Sequence, residues 1–166
     1  MPGTAASAKT DQIRRPQGPL RRRRSEPARG YHRGVLPKTG EVVPRLLLDT
    51  HIFIWIRTAP EKLRSAERRA LDGAALRLIS AVSLWEIALL ASAGRIAAAE
   101  SLFAVPEEFE LLPVLPEHCR QLLDLPQHHR DPFDRMLIAQ ARVEELTLIT
   151  RDRSISAYRS AGLSLL

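Results

Sequence analysis

The chain has 166 residues, which is enough for one domain with a substantial core and too few for two. Its formal charge is +6, yet residues 1–44 hold ten of the 25 Lys and Arg and three of the 19 Asp and Glu, a net charge of +7. The remaining residues carry 15 basic and 16 acidic side chains, a net charge of −1. The overall basic charge is therefore no argument that residues 45–166 bind nucleic acid.

The single cysteine, Cys119, excludes an internal disulfide framework and fits a reducing compartment. The sequence contains no apolar run of about 18 residues or more, and its beginning lacks the apolar core of a secretory signal. These features predict a cytoplasmic protein that does not enter a membrane.

Residues 1–44 are rich in Pro, Gly, Ser, Ala and Arg and show neither helical nor strand periodicity. They carry too little apolar surface to offset the entropy lost on ordering, so we interpret them as a disordered basic N-terminal extension. The run from Arg21 to Arg24 could contact RNA or an acidic partner, or could be a solvated tail. A translation start assigned too far upstream is an alternative explanation for the whole extension.

After Pro44, short apolar runs alternate with helical stretches. The predicted strands cover 45–50, 75–80, 109–114, 146–150 and 162–166. The predicted helices cover 52–57, 60–72, 83–95, 98–104, 116–125 and 131–145. This alternation predicts an α/β fold in which helices cover both faces of a parallel sheet. Neither a GxGxxG nor a Walker phosphate-binding motif is present in the sequence.

Polar side chains recur where the predicted strands end or the following helices begin. In chain order they are Asp49, Ser83, Glu86, Asp131, Asp134 and Asp152. Ligands of open parallel sheets bind outside the carboxyl ends of the strands, so these residues define the candidate site.

Several of these residues also have ordinary local explanations. Ser83 and Glu86 match a capping box, and the segment from Asp131 to Asp134 matches the N-cap to N3 positions of a helix. Asp152 could be a turn residue. Asp49 is harder to explain locally, because no helix follows at once for it to cap and its burial without a partner would be costly.

Carboxylates from four separate segments on one edge of a sheet indicate a cation site. They would repel one another and raise each other's pKa unless a cation lay between them. Oxygen ligands suit Mg²⁺ or Mn²⁺, and the Cys and His spacing of a zinc site is missing from the sequence. The adjacent His128 and His129 would face apart and are interpreted as surface or loop residues. His51 either supports Asp49 or simply packs.

Four motifs of the sequence resemble those of PIN-domain proteins, and within them the VapC-like ribonuclease toxins of bacterial toxin–antitoxin pairs. They are LLLDTHIFIW, ISAVSLWEIALLASAGRI, DPFDRMLIAQA and LTLITRDRSI, in that order along the chain. The resemblance covers residues 45–166 and implies a PIN-like three-layer α/β/α nuclease domain with a central sheet of four to five strands. The long Arg-rich extension is unlike the family.

The resemblance also implies roles for individual residues. It assigns the catalytic and metal-binding positions, with one or two Mg²⁺ or Mn²⁺ ions, to Asp49, Glu86, Asp134 and Asp152. Asp131 is left as the N-cap of its helix, a position from which it could also contact water or the metal ion. The hydroxyls of Thr50, Ser83 and Thr150 are expected to position water or phosphate.

The implied reaction is hydrolysis of RNA phosphodiester bonds by a metal-activated water, without a covalent protein intermediate. The implied partners are a cognate antitoxin and a second copy of the chain. Basic groups near the site that could bind RNA are Arg57, Arg130, Arg135, Arg151 and Arg153. Each is more often an ordinary surface arginine or the partner of a neighbouring acid, although Arg130, Arg151 and Arg153 flank the predicted site. Trp55 and Trp85 are candidate interface anchors or core residues. The alternatives are a catalytically silent RNA- or protein-binding module and a metal-dependent nuclease acting on DNA.

Overall fold

A computed structural model describes residues 43–128 and 130–166. The predicted disordered extension therefore lies outside the described residues except for its last two positions, and His129 also lies outside them. Among the residues that the structure describes, no helix is both long enough and apolar enough to cross a bilayer.

Five parallel strands form one sheet in the order β3-β2-β1-β4-β5. The strands are β1 Arg45–Leu48, β2 Leu76–Ser80, β3 Glu110–Leu112, β4 Thr147–Ile149 and β5 Ser164–Leu165. All five lie where the apolar runs predicted them, which confirms the predicted parallel sheet. The central strand β1 pairs with β2 on one side and β4 on the other, so that Leu48 lies between Ile79 and Ile149.

Helices cover both faces of the sheet. They are α1 Thr50–Thr58, α2 Ser65–Asp72, α3 Ala81–Ser92, α4 Pro116–Gln121 and α5 Pro132–Val143, with 3-10 turns at Pro60–Lys62, Glu100–Leu102 and Arg153–Ala161.

Alternate residues of β1 divide the core into two clusters. Leu47 packs on the face covered by α5 and the last 3-10 helix, where Leu137 and Tyr158 are fully buried. Leu46 and Leu48 pack on the opposite face with side chains of α1, α2 and α3. This alternation follows from the two-residue period of a strand that is buried on both sides, and it confirms the three-layer α/β/α arrangement.

The structure corrects two predicted helix starts. Helix α3 begins at Ala81 because Ser80, and not Ser83, is its N-cap: the Val82 amide donates to Ser80 Oγ at 3.0 Å. The capping-box interpretation of Ser83 and Glu86 is therefore wrong. Helix α1 begins directly after Asp49, which accepts a hydrogen bond from the His51 amide at 3.4 Å. Asp49 thus does have a helix to cap.

The predicted helix over 60–72 is interrupted. Leu63 and Arg64 are extended, which separates the 3-10 turn at Pro60–Lys62 from α2. The Glu67 carboxylate accepts from the Arg64 amide at 2.7 Å, so a new helix start is capped inside the predicted helix. The predicted helices at 98–104 and 116–125 are also shorter, as Glu100–Leu102 and α4.

Candidate active site

Asp49 lies at the carboxyl end of β1 and is 4% exposed. Its amide donates to the Ile149 carbonyl at 3.1 Å, which continues the pairing of β1 with β4 for one residue beyond the strand. Its carboxylate then accepts a hydrogen bond of 2.6 Å from the Thr150 hydroxyl. The side chain is therefore held between the ends of two neighbouring strands.

His51 supports Asp49 directly. Its Nδ1 lies 3.0 Å from Asp49 Oδ1, and its Nε2 accepts from the Arg151 amide at 3.3 Å. Because Nε2 is the acceptor, the proton of the neutral ring belongs on Nδ1, where it donates to the carboxylate. The ring also packs edge-on against Trp55, with centroids 4.9 Å apart. Both roles considered for His51 therefore apply.

Asp152 joins the same group through Thr150. The Asp152 amide donates to the Thr150 hydroxyl at 3.0 Å, and that hydroxyl donates onward to Asp49. The Asp152 side chain caps the last 3-10 helix, accepting from the Ser154 amide at 2.8 Å. The local explanation of Asp152 is thus correct, and the residue still lies at the predicted edge of the sheet.

Glu86 lies near the start of α3 and is half-buried. Burial raises the pKa of its carboxyl above the ordinary value, and the negative charges of Asp49 and Asp131 raise it further. Thr50 and His51 oppose this rise in pKa. Thr50 acts without a full hydrogen bond, since its Oγ1 has no partner within hydrogen-bonding geometry among the described residues. Glu86, Asp49 and Asp131 therefore share one electrostatic environment.

The start of α5 packs beside the start of α3. The rings of Phe133 and Trp85 meet edge-on with centroids 5.0 Å apart. Asp131 is the N-cap of α5, accepting from the Phe133 amide at 2.8 Å, as its position predicted. Its effect on Glu86 is additional and was not expected of a simple cap. Asp134 lies one turn further along α5 and is partly buried.

The donor set of this edge consists of oxygen. Besides the carboxylates, two buried hydroxyl oxygens, Thr50 Oγ1 and Ser83 Oγ, have no hydrogen-bond partner among the described residues. Oxygen donors of this kind suit Mg²⁺ or Mn²⁺ better than zinc, which favours sites with Cys or His ligands. Across residues 43–128 and 130–166, no three Asp, Glu, His or Cys side chains converge closely enough to ligate one ion as they stand. The observation that favours a cation is thus the shared carboxylate environment around Glu86.

Most of the candidate RNA-binding arginines have structural roles instead. Arg151 forms a bidentate ion pair with the buried Glu67, at 2.7 and 2.6 Å, and lies 4.4 Å from the centre of the Trp55 ring. Arg135 donates to the carbonyls of the segment after α4, and Arg57 donates to the Ser101 carbonyl at 3.1 Å.

The two other arginines of that set, Arg130 and Arg153, are exposed. The predicted role of Arg151 in substrate binding is not supported, because Glu67 already occupies its guanidinium. Sequence neighbourhood could not reveal a partner that lies 84 positions away.

The two tryptophans differ in their exposure. Trp85 is 59% exposed, so the core interpretation is wrong for it. Leu89, one turn further along α3, is also exposed. Trp55 is half-buried beneath Arg151.

The chain belongs to the PIN domain family, whose model matches residues 46–160. It is 29% identical over 119 residues to a Mycobacterium tuberculosis protein named Ribonuclease VapC22, and the aligned region covers 69% of this chain and 92% of that protein. The resemblance to VapC-like proteins that the four motifs carry is thereby confirmed.

Solved structures of VapBC proteins share the fold. The structure of VapBC2 from Rickettsia felis, bound to a DNA fragment from their promoter, has a TM-score of 0.56 at 17% identity and covers 73% of this chain and 96% of that chain. DNA-bound VapBC from Salmonella typhimurium has a TM-score of 0.56 at 21% identity, covering 74% and 97%. VapBC-5 from Mycobacterium tuberculosis, a member of the VapBC family of toxin-antitoxin systems, has a TM-score of 0.51 at 25% identity, also covering 74% and 97%.

Proposed function

We propose that this protein is a cytoplasmic, metal-dependent endoribonuclease that hydrolyses RNA phosphodiester bonds and is the toxin of a toxin–antitoxin pair. The observation that carries the proposal is the buried carboxylate of Asp49 at the end of β1, which Thr150 and His51 hold at 2.6 and 3.0 Å and whose charge, after burial, adds to the rise in the pKa of Glu86. Membership of the PIN family and similarity to a protein named Ribonuclease VapC22 support this activity.

The proposed ligands of one or two Mg²⁺ or Mn²⁺ ions are Asp49, Glu86, Asp134 and Asp152. A divalent ion bound there would offset the carboxylate repulsion, lower the pKa of a water and stabilise the oxygen that leaves the phosphorus. Asp49 and Glu86 are supported by their shared environment. Asp134 and Asp152 are proposed from the family motifs and from the positions of α5 and of the loop after β4.

The chain's own residues orient this site before any substrate arrives. Thr150 and His51 each hold one oxygen of Asp49, so the carboxylate cannot rotate freely. The Arg151 amide fixes the ring of His51 from the other side. Burial of Asp49 limits its contact with bulk water and strengthens these interactions. A fixed carboxylate is what a site needs when it must bind a cation without first reorganising.

The proposed protein partners are a cognate antitoxin and a second copy of the chain. The VapBC structures that share this fold support the antitoxin. The exposed apolar surface at Trp85 and Leu89 supports burial of this part of α3 in an assembly.

The test compares the full chain with its Asp49→Asn variant on single-stranded RNA and on DNA of the same sequence. We expect the unmutated protein to cleave RNA with Mg²⁺ or Mn²⁺ and not with EDTA, and Asp49→Asn to lose about 100-fold or more of that rate. Asp124→Asn, which removes the same charge from an exposed loop, should cleave like the unmutated chain. Cleavage of DNA alone would favour the DNA nuclease, and RNA binding without any cleavage would favour the silent module.

A second readout does not depend on activity. Mn²⁺ should raise the melting temperature of the unmutated chain and of Asp124→Asn, because a ligand that binds only the folded state stabilises it. Asp49→Asn should lose most of that increase. An equal increase in all three proteins would place the metal elsewhere.

A further inference from the structure

A pocket of about 360 Å³ lies beside the start of α5 and has no role in the site described above. Its lining residues are Leu122, Gln127, Arg130, Pro132 and Arg135. Its volume lies within the range of about 300–1,000 Å³ that is usual for small-molecule sites. The lining combines two apolar side chains, one amide and two guanidinium groups.

The pocket is held in shape by Arg135. Its guanidinium donates to the Pro126 carbonyl at 2.7 Å, to the Leu122 carbonyl at 3.2 Å and to the Leu125 carbonyl at 3.4 Å. The buried Tyr158 hydroxyl donates to the same Pro126 carbonyl at 2.9 Å. The segment after α4 is therefore fastened to α5 and to the last 3-10 helix before any ligand binds.

The same contacts pair the Arg135 guanidinium with neutral groups. The hydrogen-bond acceptors of Arg135 are carbonyl oxygens and the Tyr158 hydroxyl, all of which are neutral. Its positive charge is therefore not cancelled by a carboxylate among its described hydrogen-bond partners. Arg130 adds a second positive charge and is exposed at the pocket. The two guanidinium groups can attract an anionic ligand, and the carboxylate of Asp131, between Arg130 and Pro132, offsets part of their charge.

The pocket adjoins the candidate active site through one residue. Arg130 and Pro132 line it on either side of Asp131, the N-cap of α5, and the start of α5 packs beside the start of α3, where the Phe133 ring meets the ring of Trp85, the residue before Glu86, with centroids 5.0 Å apart. A polyanionic chain that places one phosphate at the carboxylates would therefore place its next unit at this pocket.

We propose that this pocket is a subsite for one nucleotide of single-stranded RNA next to the phosphate that is cleaved, a proposal that rests on the ribonuclease function above. Leu122 and Pro132 flank the unstacked base, and Arg130 binds its phosphate. The Gln127 amide, which offers both a donor and an acceptor, hydrogen-bonds the base edge. The Arg135 guanidinium, held in place by its carbonyl acceptors, supplies a fixed positive charge in the lining of the pocket.

The test uses Arg130→Gln and Gln127→Ala in the full chain, since both side chains are exposed and their loss should not unfold the protein. Arg69→Gln is the matched control, because Arg69 is exposed on α2 and does not line the pocket. Binding of a fluorescent single-stranded RNA pool of random sequence is measured in an Asp49→Asn background, in EDTA, over a range of salt. Cleavage of the same pool is measured without the Asp49 change, and the cut junctions are sequenced.

We expect Arg130→Gln to weaken binding about tenfold across all sequences and to reduce the salt dependence of binding by about one released counterion. It should raise KM and leave kcat unchanged. Gln127→Ala should lower the preference for one base beside the cut by about tenfold. Arg69→Gln should change neither property.

Two failures are distinguishable. If Arg130→Gln and Gln127→Ala match Arg69→Gln in binding, KM and junction sequence while the unmutated chain cleaves RNA, the subsite is wrong and the ribonuclease stands. If nothing is cleaved but RNA binding still depends on Arg130, the ribonuclease is wrong and the subsite stands as an RNA-binding pocket.

Discussion

The ion pair between Glu67 and Arg151 is expected to contribute strongly to both the stability and the geometry of the site. Glu67 is buried in α2, and its two oxygens accept from Arg151 at 2.7 and 2.6 Å. The same arginine lies against Trp55, and its amide holds His51. Glu67→Gln keeps the size of the side chain but replaces one accepting oxygen with an NH₂ group. That group cannot accept the hydrogen bond that Arg151 donates there.

The expected cost follows from the exposure of the two partners. Removing one member of a fully buried ion pair costs about 3–5 kcal/mol. Here the Glu67 side chain is 8% exposed but that of Arg151 is 21% exposed, so water partly compensates the unpaired guanidinium. A lost charge-assisted hydrogen bond costs about 1.5–3 kcal/mol. We therefore expect Glu67→Gln to lower the free energy of unfolding by about 2–3 kcal/mol, or the melting temperature by about 5–10 °C.

The assay is thermal and urea unfolding of the full chain at several pH values. Glu61→Gln is the control, since Glu61 is exposed in the neighbouring 3-10 turn. Arg151 holds the pKa of the Glu67 carboxyl below its ordinary value, against the opposing effect of burial. The stability from this group is therefore present above the ordinary carboxyl pKa and is lost as pH falls through the lowered one. A loss no larger than that of Glu61→Gln, or a difference that grows in acid, would refute the reasoning.

Two further substitutions test the interior of the site. Because the pKa of Glu86 is raised in the folded chain, the ionised carboxylate disfavours folding. Glu86 therefore contributes to the stability of the fold in acid, and this contribution is lost as pH rises through the folded pKa. Glu86→Gln should therefore raise the melting temperature of the metal-free chain at neutral pH, measured in EDTA, while removing metal-dependent cleavage; a lower melting temperature would contradict this. Gln140→Leu leaves the buried Ser80 hydroxyl without the acceptor it has at 2.6 Å, and should cost about 1–3 kcal/mol in urea unfolding. A Gln140→Leu chain as stable as the unmutated one would show that this bond is unimportant.

The sheet was predictable from the sequence because strands that are buried on both faces consist almost entirely of apolar residues. The run RLLL of β1 has no polar residue after Arg45, as expected of a strand covered on both faces. Asp49 directly follows that run, so its position at the carboxyl edge follows from the strand itself. Asp49 and Glu86 lie close enough for the charge of Asp49 to add to the rise in the pKa of Glu86, but no three carboxylates among the described residues converge on one ion. The full set of four ligands, including Asp134 and Asp152, stays a prediction.

The errors arose where a distant residue decided between two local possibilities. Ser80 and Ser83 are both plausible N-caps, and Ser83 has the matching glutamate three residues later. The structure selects Ser80, which also donates to Gln140 sixty positions away and so joins β2 to α5. Arg151 likewise precedes the candidate ligand Asp152 in sequence, but its ion-pair partner, Glu67, lies on α2. Local patterns carry no information about such pairs.

The bond between Thr150 and Asp49 makes the candidate site depend on a strand that comes late in the chain. It joins residues 101 positions apart, and its donor follows β4, the fourth of the five strands. β1, β2 and β3 pair with one another in the sheet, but the Asp49 carboxylate gains the hydrogen bond from Thr150 only when β4 lies beside β1. A chain that ended before Thr147 would hold Asp49 and Glu86 without the Thr150 hydroxyl that orients the Asp49 carboxylate.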